Sequence, residues 1–261
     1  MKTNHKLTAL QILLAGLCGM VLAFHRQKAA SGSEMFLVAL AAALVLITTS
    51  VATEKTRGKL NLKPAATDKI AFSLLAAAGF LFVLSAVCFL LQQEAANSVR
   101  LIIAAFFGFS GVATLLRLTQ RDSGTLAAVY ALVPVFSMSF YLLIFYRSNG
   151  DNPYLSNYGY EVAVLLTTLL AVYSAVAGRF EKPRPLFRVT LCSIGICLLV
   201  QEGCSSLLMP KLILSIPCFS LGTLVMMMAS GLLLCHGVGY PPVQEVFANA
   251  EDPDAEEEEI E

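Results

Sequence analysis

Two acids sit where apolar surroundings make charge expensive. Glu161 opens an apolar run that follows a neutral, tyrosine-rich stretch. Glu202, with Gln201 beside it, interrupts the run that begins at Phe187. A carboxylate in low dielectric is costly, and a second one nearby adds to the cost. Such a pair can bind a cation or a proton, or hold helices together by hydrogen bonds. Arg100 or Arg147, at the ends of neighbouring runs, can supply the opposing charge. The plainer alternative is that each acid simply meets interfacial water or a headgroup. An ionisable residue inside a membrane segment is by default a functional candidate, so Glu161, Glu202 and Gln201 form the candidate polar site. The site is expected in the outer leaflet, because Glu161 opens its span there and Glu202 lies about 21 Å along a helix from Arg188.

Other chemistry is thin. His5, His25 and His236 all fall at or beyond the ends of apolar runs, and no two share a helical face. No HExxH, GxSxG, P-loop or glycine-rich dinucleotide fingerprint is present. No catalytic residue, cofactor or metal site is therefore assigned. The seven cysteines contain no CxxC pair and nearly all lie within apolar runs, where cysteine is usually a small core hydrophobe. Met226, Met227 and Met228 point about 100° apart on a helix, so they read as core filler rather than one metal-lined face.

The elements that must position the two acids follow from composition. The 261 residues are 57% hydrophobic and 14% charged. A soluble domain carries about 25% charge. Apolar runs long enough to cross a bilayer recur along nearly the whole chain, which gives an all-α, polytopic membrane protein. Eight spans are expected: 7–24, 35–52, 70–92, 99–118, 126–146, 161–178, 187–208 and 212–236. Residues 1–240 form the membrane body, and 241–261 an acidic, disordered tail.

Details within the spans carry further expectations. The first run is long for the core of a signal peptide and has no small-x-small site before His25, so it reads as a retained helix. Ala15 and Gly19 within it are a small-xxx-small pair that lets a neighbouring helix approach. Arg100 and Arg117 can snorkel from the fourth span to the interface. Pro134 should kink the fifth span, which finishes on an aromatic end, Phe140, Tyr141, Phe145 and Tyr146.

Charge sets the orientation. All 18 Lys and Arg lie at or before Lys211, whereas nine of the 18 acids lie in 245–261, so residues 1–244 carry a net +9. With eight spans and a cytoplasmic N-terminus, inside segments hold 13 of the 18 cations and outside segments five. The positive-inside rule then puts both termini in the cytoplasm of a plasma-membrane protein. The most basic loops, after spans two and six, read as ordinary cytoplasmic loops in preference to a duplication of two four-helix halves. They attract anionic lipid at about 1 kcal/mol per residue near the surface. The bilayer is the expected partner, nucleic acid is not, and the tail offers itself to a basic cytosolic protein.

One stretch resembles a known group. Phe140-Tyr-Leu-Leu-Ile-Phe-Tyr-Arg147, Asn152-Pro-Tyr-Leu-Ser-Asn-Tyr-Gly-Tyr-Glu161 and Leu170-Ala-Val-Tyr-Ser-Ala-Val-Ala-Gly178 are similar to a set of multi-span membrane proteins of anaerobic Gram-positive bacteria. The resemblance implies a bacterial plasma membrane and about eight helices, and it carries no assigned activity. Two functions then compete: a small permease or membrane component of a larger assembly, and a membrane-anchored sensor or scaffold acting through the acidic tail.

Overall fold

A computed structural model of the chain describes residues 2–28, 32–57, 69–91, 97–119, 125–148, 159–177, 184–208 and 221–239. Among these residues there are eight helices: α1 Lys2–Lys28, α2 Gly32–Arg57, α3 Lys69–Leu91, α4 Asn97–Thr119, α5 Thr125–Ser148, α6 Gly159–Ala177, α7 Pro185–Leu208 and α8 Leu221–Gly239. Seven are long and apolar enough to cross a membrane. The shorter apolar helix is α6, whose 19 residues extend about 28 Å at 1.5 Å each, close to the roughly 30 Å hydrocarbon core. The fold is therefore the all-helical membrane bundle that composition requires.

Polarity is distributed inside out. Leu13, Phe24, Leu37, Phe80, Phe109 and Leu143 are among many large apolar side chains facing outward, while Gln11, Ser85, Ser137, Glu161, Gln201 and Glu202 are buried. Lipid is as apolar as leucine, so the bundle gains nothing by hiding leucine. What it must enclose is the polar minority. Helix is the local form because no water is present in such surroundings to satisfy a free backbone group.

Contacts along the helices show that successive helices run in opposite directions. On α1 and α2, Gln11 donates to Ser50 at 3.0 Å. On α3 and α4, Gly79 meets Leu115 and Gly111, and Gly111 also meets Val83. On α4 and α5, Ser110 donates to Ser137 at 2.6 Å, and Phe106 stacks on Phe140 at 4.5 Å. Gly195 and Gly237 set α7 against α8, through Leu234 and Cys192 respectively. Eight alternating helices return the chain to its starting side, where Gly239 lies against Thr8.

The centre of the bundle is α8. It packs on α3, α7, α6 and α1, and 61% of its apolar window is buried, against 17% for the peripheral α2. Ser85 donates to the Gly222 carbonyl at 2.7 Å, and the Phe89 ring leaves no room for a Cβ at Gly222. Phe89, Phe107, Tyr141 and Phe145 form a contiguous aromatic cluster with centroids 5.7–6.4 Å apart. The Tyr141 hydroxyl closes it on Thr223 at 2.6 Å. The aromatic end of α5 thus builds core more than interface. Tyr141 and Phe145 are buried and Phe140 stacks on α4, leaving Tyr146 as the outward ring.

Several sequence expectations change in detail. The seventh helix runs unbroken through Gln201-Glu202-Gly203, because these side chains point into protein rather than lipid. It starts with Pro185 in the first turn, where a missing N–H costs nothing, and Arg188 N–H donates to the Arg184 carbonyl at 3.1 Å. The last helix begins at Leu221, and the expected stretch 212–220 lies outside the described residues, as does the tail. Pro134 sits within one unbroken helix and leaves the Tyr130 carbonyl without its usual donor. Arg117 is buried inside the bundle instead of snorkelling outward. Met226 and Met227 are buried and Met228 is exposed, as their angular spacing demands. If the two four-helix halves were copies, α5 would lean on α3 as α1 leans on α7; instead α5 packs mainly on α4 and α6.

Candidate functional site

The site is assembled by α1, α6 and α7 at one end of the bundle. One face of α1 carries Gln11, Ala15, Gly19, Leu22 and Arg26, spaced three, four and seven residues apart. That face lies along α7, with which α1 runs parallel. Gln11 donates to Ser193 at 3.0 Å near one end. Midway, a Cβ on Gly19 would overlap the Cys197 carbonyl and lie 3.0 Å from Val200 Cβ. At the far end, Arg26 Nη1 donates to Glu202 Oε2 at 2.9 Å. The small-xxx-small pair therefore has a partner, and the partner is α7.

The same guanidinium also touches α6. Arg26 Nη2 stands 3.9 Å from Glu161 Oε1. Antiparallel packing of α6 on α7, fixed lower down by the Cys192 thiol donating to the Ala171 carbonyl at 3.8 Å, brings the two acids to one level. Glu161 is 7% exposed and Glu202 4%, whereas the Arg26 side chain is 32% exposed. The acids are held inside and the arginine reaches them from the rim. The 2.9 Å contact is a charge-assisted hydrogen bond, and the 3.9 Å contact is Coulombic attraction without one.

Hydrogen bonding at this end is incomplete. Glu161 Oε2, Gln201 Nε2, His25 Nε2 and Ser205 Oγ are buried atoms with no hydrogen-bond partner among the described residues. Buried polar atoms are ordinarily satisfied, so four orphans on two short stretches of α1 and α7 and the first turn of α6 mark a place built for something polar. Two carboxylates and one guanidinium meet here, with the His25 imidazole, the Gln201 amide and the Ser205 hydroxyl on the adjoining turns of α1 and α7. It can hold a small charged or hydrogen-bonding species.

The sequence placed both acids at this end, and the structure brings them onto one arginine. Their expected partners were Arg100 or Arg147. The partner is Arg26, from the opposite end of the chain, because α1 and not α4 or α5 lies beside α7. Gln201 is 1% exposed and, among the described residues, forms no hydrogen bond with either acid. His25 and Arg26 close the first apolar run, and a cation in that position looks the same whether it marks topology or enters the bundle. The signal available in advance was their place seven residues beyond Gly19. Gln11, with Ser50 and Ser193, was likewise silent in hydropathy. No protein-family model, curated protein or solved structure matches the chain.

Proposed function

We propose that the chain is a small permease in which Arg26, Glu161 and Glu202 close one end of a polar interior. The observation that carries this reading is the pair of acids buried on two helices and held by a cation on a third. Ionisable groups are retained inside membrane bundles at high cost, most often along solute or ion pathways. A second polar cluster on the same helix face, Gln11 with Ser50 and Ser193, places hydrogen-bonding groups between α1, α2 and α7 toward the opposite end. Proteoliposomes carrying the full chain and a panel of labelled sugars, amino acids, amines and alkali ions test this. At least one solute should enter above protein-free liposomes, and Glu202→Gln should slow it tenfold or more at equal insertion. Uptake of nothing in the panel, or uptake indifferent to Glu202→Gln, would remove the permease reading.

A scaffold reading rests on a different feature, the nine acids between Glu245 and Glu261. Deleting 245–261 separates the two: transport survives the deletion, while recruitment of a basic cytosolic protein does not.

The reading also places the protein in a bacterial plasma membrane, with both termini cytoplasmic and the Arg26 end outside. Thiol labelling of intact cells on a cysteine-free background should modify Ser156→Cys and spare Ser123→Cys and Ala250→Cys. Labelling at Ala250→Cys would overturn the assignment.

A further inference from the structure

Among the described residues, the Arg26 cluster joins two carboxylates, 7% and 4% exposed, to one guanidinium. Glu202 takes the close contact at 2.9 Å, and Glu161 is left with a 3.9 Å contact to one oxygen and no hydrogen-bond partner for the other. A buried charge without compensation is among the most expensive features a fold can carry. The orphan Oε2 belongs to the same carboxyl group that faces Arg26, so it lies within the cluster.

A second unpartnered oxygen lies on the neighbouring turn of α7. Ser205 stands three residues beyond Glu202, on the same face of α7, and its Oγ is also a buried atom without a partner. Oxygen donors suit hard cations, and an excess of one negative charge calls for one positive charge. We infer that Glu161 Oε2, with Ser205 Oγ, holds one exchangeable monovalent cation, an alkali ion or a small protonated amine, beside the Arg26–Glu202 pair. The other charged or titratable positions on the helices at this end are His25, Arg26 and Lys28 on α1, Glu34 on α2, Arg100 on α4, Tyr146 and the exposed Arg147 on α5, Tyr160 on α6, and Glu202 and Cys204 on α7. Among the described residues, none hydrogen-bonds to Glu161 Oε2. Arg26 acts as the built-in competitor: a mobile cation on Glu161 releases the long 3.9 Å contact and leaves Arg26 paired with Glu202 alone.

The inference deepens the permease reading of the same site, and binding rather than transport tests it. The purified full chain is unfolded by heat in detergent, and exposure of Cys192 and Cys197, both buried, is followed with a thiol-reactive dye. Sodium chloride, methylammonium chloride and choline chloride are compared at equal ionic strength and fixed pH, choline serving as the bulky cation without N–H donors. Sodium or methylammonium should raise Tm by about 5 °C over choline at saturation, and which of them does so separates the alkali ion from the amine. Glu161→Gln should abolish the increment, and Ser205→Ala should weaken the apparent affinity tenfold or more. Should Glu161→Gln not fold, Glu161→Asp should shift the half-saturating concentration by the same order. Equal Tm in all three salts, an increment that survives Glu161→Gln, or stabilisation that follows pH alone would overturn the inference. Binding without transport would leave the site standing and remove the permease; transport without cation dependence would do the reverse.

Discussion

Arg26→Gln should be strongly destabilising in this protein. Glutamine keeps much of the length but removes the charge, leaving Glu161 and Glu202 buried against each other. Removing one partner from a buried ion pair costs about 3–5 kcal/mol, chiefly because the abandoned charge stays where it is. The Arg26 side chain is 32% exposed, so water reaches part of the site and about 2–3 kcal/mol is the better expectation here. At about 2–4 °C per kcal/mol, Tm should fall by roughly 5–10 °C. The triple substitution Arg26→Met, Glu161→Gln and Glu202→Gln should recover most of that loss, since it removes the charges together. If Arg26→Gln unfolds with the parent, or the triple variant is no better than the single one, the ion pairs do not hold this end together. Thermal unfolding of the three proteins side by side decides it.

That prediction rests on a partner the sequence did not reveal, and the reason is physical. Hydropathy reports which residues enter the membrane and, with loop charge, at what depth. It assigns Glu161 and Glu202 their levels one helix at a time: one opens α6, and the other follows Arg188 by 14 residues, about 21 Å along α7. It could not name Arg26, because the partner depends on which helices are neighbours. Arg26 and Glu202 are 176 residues apart, and α1 meets α7 through shape. The same limit explains Arg117 and the aromatic end of α5. Snorkelling and interface belts are the outward options for such residues, and only packing shows that Arg117, Tyr141 and Phe145 turned inward. Where one helix determines the answer, as with the angular spacing of Met226, Met227 and Met228, the sequence was sufficient. The unbroken α7 makes the complementary point: Gln201-Glu202-Gly203 interrupts hydropathy without interrupting a helix, since enclosed polar side chains do not disturb the backbone ladder.

Shape is also where the second large effect lies, and Gly16 and Gly19 make it an internally controlled comparison. Glycine inside a helix is worth roughly 0.5–1 kcal/mol less than alanine, so a glycine-to-alanine change should stabilise when space permits. At Gly16 a Cβ would meet nothing within 4 Å, and Gly16→Ala should be neutral or slightly stabilising. At Gly19, one turn further, the Cβ would overlap the Cys197 carbonyl and press on Val200 Cβ. A backbone carbonyl cannot rotate away as a side chain can, so α1 must move off α7. Overpacking of this kind costs about 1–3 kcal/mol, and more where backbone is involved. Gly111→Ala repeats the test between α3 and α4, where the Cβ would stand 2.8 Å from the Gly79 carbonyl oxygen and 2.9 Å from Val83 N. The two clashing variants should differ in one respect. Gly19 and Arg26 share a face of α1, so displacing α1 lengthens the 2.9 Å contact to Glu202 and loosens the site; Gly111 has no such connection. Gly19→Ala should therefore lose both stability and the salt-specific stabilisation at Glu161, whereas Gly111→Ala should lose stability alone. A Gly19→Ala protein as stable as Gly16→Ala would mean that α1 does not press on α7 at this level. If Gly19→Ala is destabilised but keeps the full salt response, the approach of α1 to α7 is not what positions Arg26.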